Sequence, residues 1–478
     1  MTDRWRAALT PLLGVDTRAL AALRIGLGTI LVLDLGQRLT EVEALYSDMG
    51  VLPRRALLEH VAGWDALSLY LVSGTTWWAT ALLVVQLALA LALLVGWHSR
   101  LVCGLSWVLL ASLQTRNPLV LQGADHLVRA MLFWGMFTPL GDRASVDRAR
   151  SGRPPTDRTV LSWGTAALCL QVGLLYLMAG VLKDGAVWVT GDAVRDALEL
   201  EVYTSRFGLW VLAQDSLTRA LTWSSLAIEW LAFPLLFLPG LQRLRTPTVV
   251  VLACMQLGFG TTMNLGLFPP TSVVVSLCLL PPRFWDRLWP RTSFTLPGRA
   301  APPESAPGRL GTAVCASVLC AVLFWNAKEV PGWDWGTPKA LRKVMYTARL
   351  DQRWGMFAPY PRKDDHYWVM PGTLRGGDEL DVWQLDEVTW DKPEVVSEMM
   401  PSHRWRRYMA GLYLRKNSDL RVYWGRWRCR SWNDDARGPQ TLQRFEMWVV
   451  EERTRWGREP VIPERERLWR HNCFKKKS

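Results

Sequence analysis

Over its first two thirds the chain alternates long apolar runs with short charged breaks. A bilayer core of about 30 Å needs about 20 apolar residues in a helix. Trp77 to Gly96 is the cleanest such run, uncharged and with only Gln86 as a long polar side chain. Leu161 to Leu182, Leu221 to Leu241, Pro247 to Met263 and Leu310 to Ala327 read alike; Ala19 to Leu35, Leu101 to Leu113, His126 to Leu140 and the short Thr271 to Leu280 are weaker. The pattern predicts a mainly α, polytopic transmembrane bundle of about nine spans within residues 1–328. Two outer loops, Glu41 to Thr76 and Gly191 to Ala213, carry apolar residues at helical spacing and read as helices lying on the membrane surface.

After Lys328 the pattern changes. His366–Val369, Glu379–Trp383, Arg421–Trp427 and Phe445–Val450 alternate polar and apolar residues, the period of half-buried strands. Gly376-Gly377 reads as a turn and Ser402–Leu414 as a helix. Residues 329–478 are thus expected to form a Trp-rich, β-rich (α+β) domain. Pro290 to Pro307, rich in Pro, Gly and Ser, reads as a linker before the last span.

Composition agrees. Only 21% of the 478 residues are charged and 28 are tryptophan, against about 25% charge in ordinary soluble chains. The net charge of +13 would suit nucleic acid if the cations shared one soluble face. They fall instead in short loops and in the Trp-rich tail, so no nucleic-acid partner is expected; the partner is the lipid bilayer. The Lys/Arg distribution places the N-terminus in the cytoplasm. Arg143, Arg148 and Arg150 fall in one cytoplasmic loop, Arg243 and Arg245 in another, and the tail emerges on the opposite side. Six of the eight cysteines lie in apolar runs; Cys429 and Cys473 do not, and a disulfide between them fits an extracytoplasmic tail. No Cys/His spacing suggests a metal, and Arg24 and Asp34 in the first run argue against a cleavable signal.

Ionisable residues inside spans are costly and so mark candidate function. Arg24 and Asp34 stand about 15 Å apart along a helix, too far to pair, so each needs its own partner. Arg129 and Glu229 are candidates, in a network that would fix helix register. Lys183, closing the fifth run, is either a lysine reaching for the headgroups or a proton acceptor. Gln256 and the turn from Asn264 to Pro270 suggest irregular backbone lining a cavity. Arg116-Asn117-Pro118 and Asp125-His126 form a polar knot on the same outer side, where topology groups His126 with Lys183 and Asn264. No GxSxG, Walker, dinucleotide-binding or HExxH pattern is present. Gly355 to Pro361 (GMFAPYP) offers no nucleophile and suits packing or partner recognition.

Ala22-Leu-Arg-Ile-Gly-Leu-Gly28 with Asp34 and Arg38, then Tyr46-Ser-Asp-Met-Gly50, resembles the horizontally transferred transmembrane (HTTM) domain, the family that includes the vitamin K-dependent gamma-carboxylase membrane core. Arg116-Asn-Pro-Leu and Gly123-Ala-Asp-His126 resemble its bacterial branch. Tyr176-Leu-Met-Ala-Gly-Val-Leu-Lys183 with Trp188 is similar to the carboxylase segment bearing the catalytic lysine, and Met263 to Phe268 to the matching hairpin. The resemblance implies a bacterial inner-membrane protein handling a reduced quinone (menaquinone or vitamin K hydroquinone). Lys183 would be the base, helped by His126, Asp125 and Asn264, with Gln256, Arg116 and Trp188 about the cofactor. Ala124-Asp125-His126, Gln256 and the small tail depart from the carboxylase pattern and bear most on glutamate carboxylation. The rival reading is a non-catalytic maturation or immunity factor holding a secreted peptide or protein client.

Overall fold

The computed structural model describes residues 3–62, 66–151, 158–289, 308–333, 336–453 and 463–474. The Pro290 to Pro307 stretch lies outside them. Each of the nine apolar runs is helical. After α1 (Asp3–Leu13) come α2 (Thr17–Thr40), α3 (Thr76–Val95), α4 (Ser99–Arg116), α5 (Gly123–Gly135), α6 (Trp163–Val181), α7 (Asp215–Phe237), α8 (Arg245–Thr262), α9 (Phe268–Ser276) and α10 (Arg309–Ala327). Among the described residues, five of these, α2, α3, α6, α7 and α10, are long and apolar enough to cross a membrane. At 13 and 9 residues, α5 and α9 fall short of a bilayer's thickness.

Local chemistry sets the helix ends. Asp16 caps α2 by accepting from Arg18 N, and Ser162 with Thr165 forms a reciprocal cap on α6. Gly96 closes α3 in the left-handed region, φ 74°. A Cβ there would lie 2.7 Å from Arg24 Nη1, so glycine is also what lets that buried guanidinium reach the helix end. The loop before α3 folds into short helices (Val42–Tyr46, Arg54–Leu57), and the loop after α6 into Ala186–Thr190, Ala193–Leu198 and Arg206–Leu212.

The C-terminal region contains α11 (Lys339–Thr347), α12 (His403–Tyr413) and α13 (Arg421–Asn433), with strands β1 (Asp364–Val369), β2 (Pro371–Leu374), β3 (Glu379–Asp381), β4 (Leu442–Arg453) and β5 (Glu464–Asn472). The sheet is antiparallel. The long β4 pairs with β5 along one edge and with β1 and then β2 along the other, while β3 pairs with β2. Arg421–Trp427, expected as a strand, is instead the first half of α13. Its buried residues Arg421, Trp424, Gly425 and Cys429 follow helical spacing rather than alternate positions. Cys429 on α13 is disulfide-bonded to Cys473 just after β5.

One hydrophobic core runs through both regions, from Val15 and Trp134 in the bundle to Trp354, Trp424 and Val449 in the tail. The change of composition near residue 328 therefore does not coincide with a break in packing.

Candidate functional site

Three buried polar constellations lie where the bundle meets the tail. The first is at the end of α6. Lys183 Nζ hydrogen-bonds Glu229 Oε2 on α7, both side chains being 4% exposed, and lies 4.3 Å from the centre of the Trp188 ring. The tail closes over this group: the Pro359 carbonyl accepts from Trp188 Nε1 at 3.1 Å and from Gly185 N at 3.2 Å. A Cβ on Gly185 would stand 2.6 Å from that oxygen, so the approach requires glycine. Phe357 packs on Val187 and Trp188. The GMFAPYP segment thus forms the roof over the lysine.

Two helical turns below Lys183, Tyr176 Oη and the nearby Gln256 Oε1 are buried with no hydrogen-bond partner. Tyr176 lies within reach of Gln256 and Ser276 without meeting either in hydrogen-bond geometry, and within electrostatic range of Glu229. Buried polar atoms are normally satisfied, so this group has spare bonding capacity for a small polar guest.

The second constellation joins α2, α5 and α12. Arg38 donates to Asp34 at 2.8 Å, to Asp125 at 2.5 Å and to Tyr46 Oη at 2.5 Å. Arg404, from the tail, hydrogen-bonds Asp34 and lies 3.4 Å from Asp125. Two carboxylates therefore share two guanidiniums in a buried knot. Beside it is a cleft walled by Ile30, Leu110 and Val128, with Gln122 and His403 at its polar side. Burial, with the Arg404 cation, holds the His403 imidazole down at about 4, so it is neutral near pH 7.

The third surrounds Arg129, which bonds Gln114 Oε1, approaches His126 Nδ1 at 3.1 Å and donates to the Asp351 carbonyl at 3.1 Å. Gln114 in turn donates to the Asp125 carbonyl at 3.0 Å. Further along α5, Trp134 donates to Gln171, which exchanges bonds with Gln352, and Gln352 accepts from Trp354. The extended segment after α11 thus runs as a polar strip from Arg129 to the Lys183 roof.

The remaining expected residues lie apart. Arg24 donates to the carbonyls of Leu93, Leu94, Leu140 and Ala144, so its hydrogen-bond partners are backbone carbonyls and not Glu229. Asp34 takes Arg38 and Arg404. Arg116 donates to the Leu52 and Ser47 carbonyls, fixing the loop after α2. Asn264 donates to Ser397 at 2.8 Å, and its carbonyl accepts from Arg406. Among the described residues Lys183 contacts none of Asp125, His126 and Asn264. Adjacent Asp125 and His126 serve different clusters. Arg404, Asp351, Gln352, Gln171 and Gln114 were not singled out by sequence; the first four become notable only through a partner far away in the chain, and Gln114 only through its bonds to Asp125 and Arg129 across the turn from α4 to α5.

Five helices fit to cross a membrane, with charge buried between them, make this an integral membrane protein. Residues 14–285 match the HTTM domain, more than half of the chain, and the protein belongs to that family, a membrane domain of the gamma-carboxylase type. Neither a curated protein nor a solved structure matches the chain.

Proposed function

We propose that the Lys183–Glu229 pair is a proton-accepting centre for a reduced quinone reached from the bilayer. The observation that carries the reading is a lysine–carboxylate pair buried at a membrane-helix end, with unpartnered polar atoms below it and a tail-built roof above. A reduced quinone bound there would supply the acidic hydroxyl and the reducing equivalents. Tyr176 and Gln256 offer that hydroxyl the hydrogen bonds they lack in the structure, and Trp188 offers an aromatic face.

The residues can move a proton without opening the site. In the pair a single hydrogen bond joins Nζ to Oε2, and its proton can move along that bond. Shifting it onto Glu229 leaves Lys183 with a lone pair able to take a second proton from an incoming hydroxyl. The loaded pair then carries a positive charge beside the oxyanion it has created, in a dry environment where that attraction is strong. The Trp188 face stabilises the ammonium further.

The test is turnover by the full chain in nanodiscs given reduced menaquinone or vitamin K and oxygen, with quinone epoxide followed by mass spectrometry. Epoxide from the wild type, lost in both Lys183→Met and Glu229→Gln, is expected. Folded protein that makes none overturns the reading. Retention of secreted proteins by Lys183→Met as well as by the wild type would then favour the client-holding alternative, for which the roof at residues 355–361 would be the contact.

A further inference from the structure

The last apolar helix, α10, ends at Ala327, and a short basic helix, α11, folds back over that end. Tyr346 of α11 meets Trp325 of α10 edge to face, ring centres 5.5 Å apart. Lys328 lies 3.6 Å from the centre of the same Trp325 ring and pairs with Glu329. α11 is thereby fixed at the level where a membrane-crossing α10 would leave the hydrocarbon. Aromatic rings and long cations are the residues suited to that level.

Lys339, Arg342, Lys343 and Tyr346 stand at i, i+3, i+4 and i+7, so they share one face of α11. All four are exposed. Because Tyr346 is the residue that meets Trp325, this is the face turned toward the end of α10. Met345, fully buried, borders this face one turn on from Arg342 and anchors the helix to the core. None of the three cations has an acidic partner among the described residues, unlike Arg206 with Glu398, Arg362 with Asp364 and Arg467 with Glu446. Three unpaired cations around a tyrosine at a membrane boundary lack a counter-anion, and the anions available at that depth are lipid phosphates.

We propose that the Lys339–Arg342–Lys343–Tyr346 face of α11 binds the headgroup of a phospholipid with net negative charge, docking the tail on the leaflet at which α10 ends. The phosphate takes the three cations and the Tyr346 hydroxyl hydrogen-bonds the headgroup. A cation near an anionic surface contributes about fivefold to binding, so the three together give on the order of 100-fold.

The test uses full-length protein from nanodiscs of phosphatidylcholine and phosphatidylglycerol in equal amounts, released and read by native mass spectrometry for retained lipid. The wild type should retain phosphatidylglycerol in preference, and high salt should erase the preference. The triple variant Lys339→Gln, Arg342→Gln, Lys343→Gln should lose most of it. Arg375→Gln, Arg415→Gln, Lys416→Gln removes the same charge elsewhere on the exposed tail and should keep it. Retention that the α11 triple leaves intact, or that both triples lower equally, overturns the proposal. All six positions are exposed, so folding is not at stake, and the outcome is independent of any activity at Lys183.

Discussion

Arg404 is the cation that the C-terminal region lends to the bundle, and its removal should separate the two. With Asp34, Asp125 and Arg38 it forms a set of two negative and two positive charges, no side chain more than 9% exposed. Arg404→Met keeps most of the side-chain volume but leaves two buried carboxylates facing one guanidinium. Breaking a buried pair by removing one partner costs about 3–5 kcal/mol, which is roughly a hundred- to a few-thousand-fold in the equilibrium for opening this contact. Limited proteolysis in nanodiscs, with reclosing faster than cleavage, reads that equilibrium directly; the fragment to follow is the one containing α12. Adding Asp34→Asn to Arg404→Met restores neutrality, leaving Arg38 with Asp125, and should recover most of the loss. An Arg404→Met protein cleaved within about threefold of the wild-type rate, or a double variant whose defects simply add, would refute the charge argument.

Two further outcomes concern the tail. Burial, with Glu201 adding to it, holds the Asp365 carboxyl up at about 7, and Lys392 offsets this only in part. The folded state therefore binds more protons than the unfolded one between about pH 4 and 7, so stability is greatest on the acid side and falls as pH rises through 7, by up to about 4 kcal/mol; Asp365→Asn should flatten the dependence in proteolysis at pH 5.5 and 8. The Cys429–Cys473 bond closes a loop of 44 residues, worth about 4 kcal/mol on the chain-entropy account, so reduction or Cys473→Ser should expose β5 to protease while leaving the bundle intact.

The helices were legible because length and apolarity are local properties: each apolar run needed only its own residues to declare itself. The strands at His366–Val369 and Phe445–Val450 were legible for the same reason. Arg421–Trp427 was not, because in so short a run mixing Arg with Trp and Tyr the change from polar to apolar does not separate a strand from one face of a helix. In the helix Gly425 packs against His471 of β5, where a Cβ would come within 2.6 Å. The ionic partners were harder still. That Arg24 and Asp34 do not pair follows from helix rise alone. That Asp34 pairs with a residue 370 positions away does not, since Arg404 looks like any other arginine in a basic amphipathic helix.

The same arithmetic bears on what the HTTM match means. It ends at residue 285, yet each buried polar cluster is completed from beyond that point. Arg404 balances Asp34 and Asp125, Asp351 accepts from Arg129, Gln352 answers Gln171, and Pro359 covers Trp188 above Lys183. A bundle lacking these residues would hold an excess of buried carboxylate on one side and an open roof on the other, and both would draw in water. Water at Lys183 would weaken the electrostatic coupling to Glu229 on which a shared proton depends. The membrane domain therefore supplies the buried Lys183–Glu229 pair, while the tail supplies the charge balance and the cover over it. Chemistry at Lys183 should accordingly be more sensitive to Gly185→Ala, which displaces the Pro359 carbonyl, than its distance from the proton in transit would suggest.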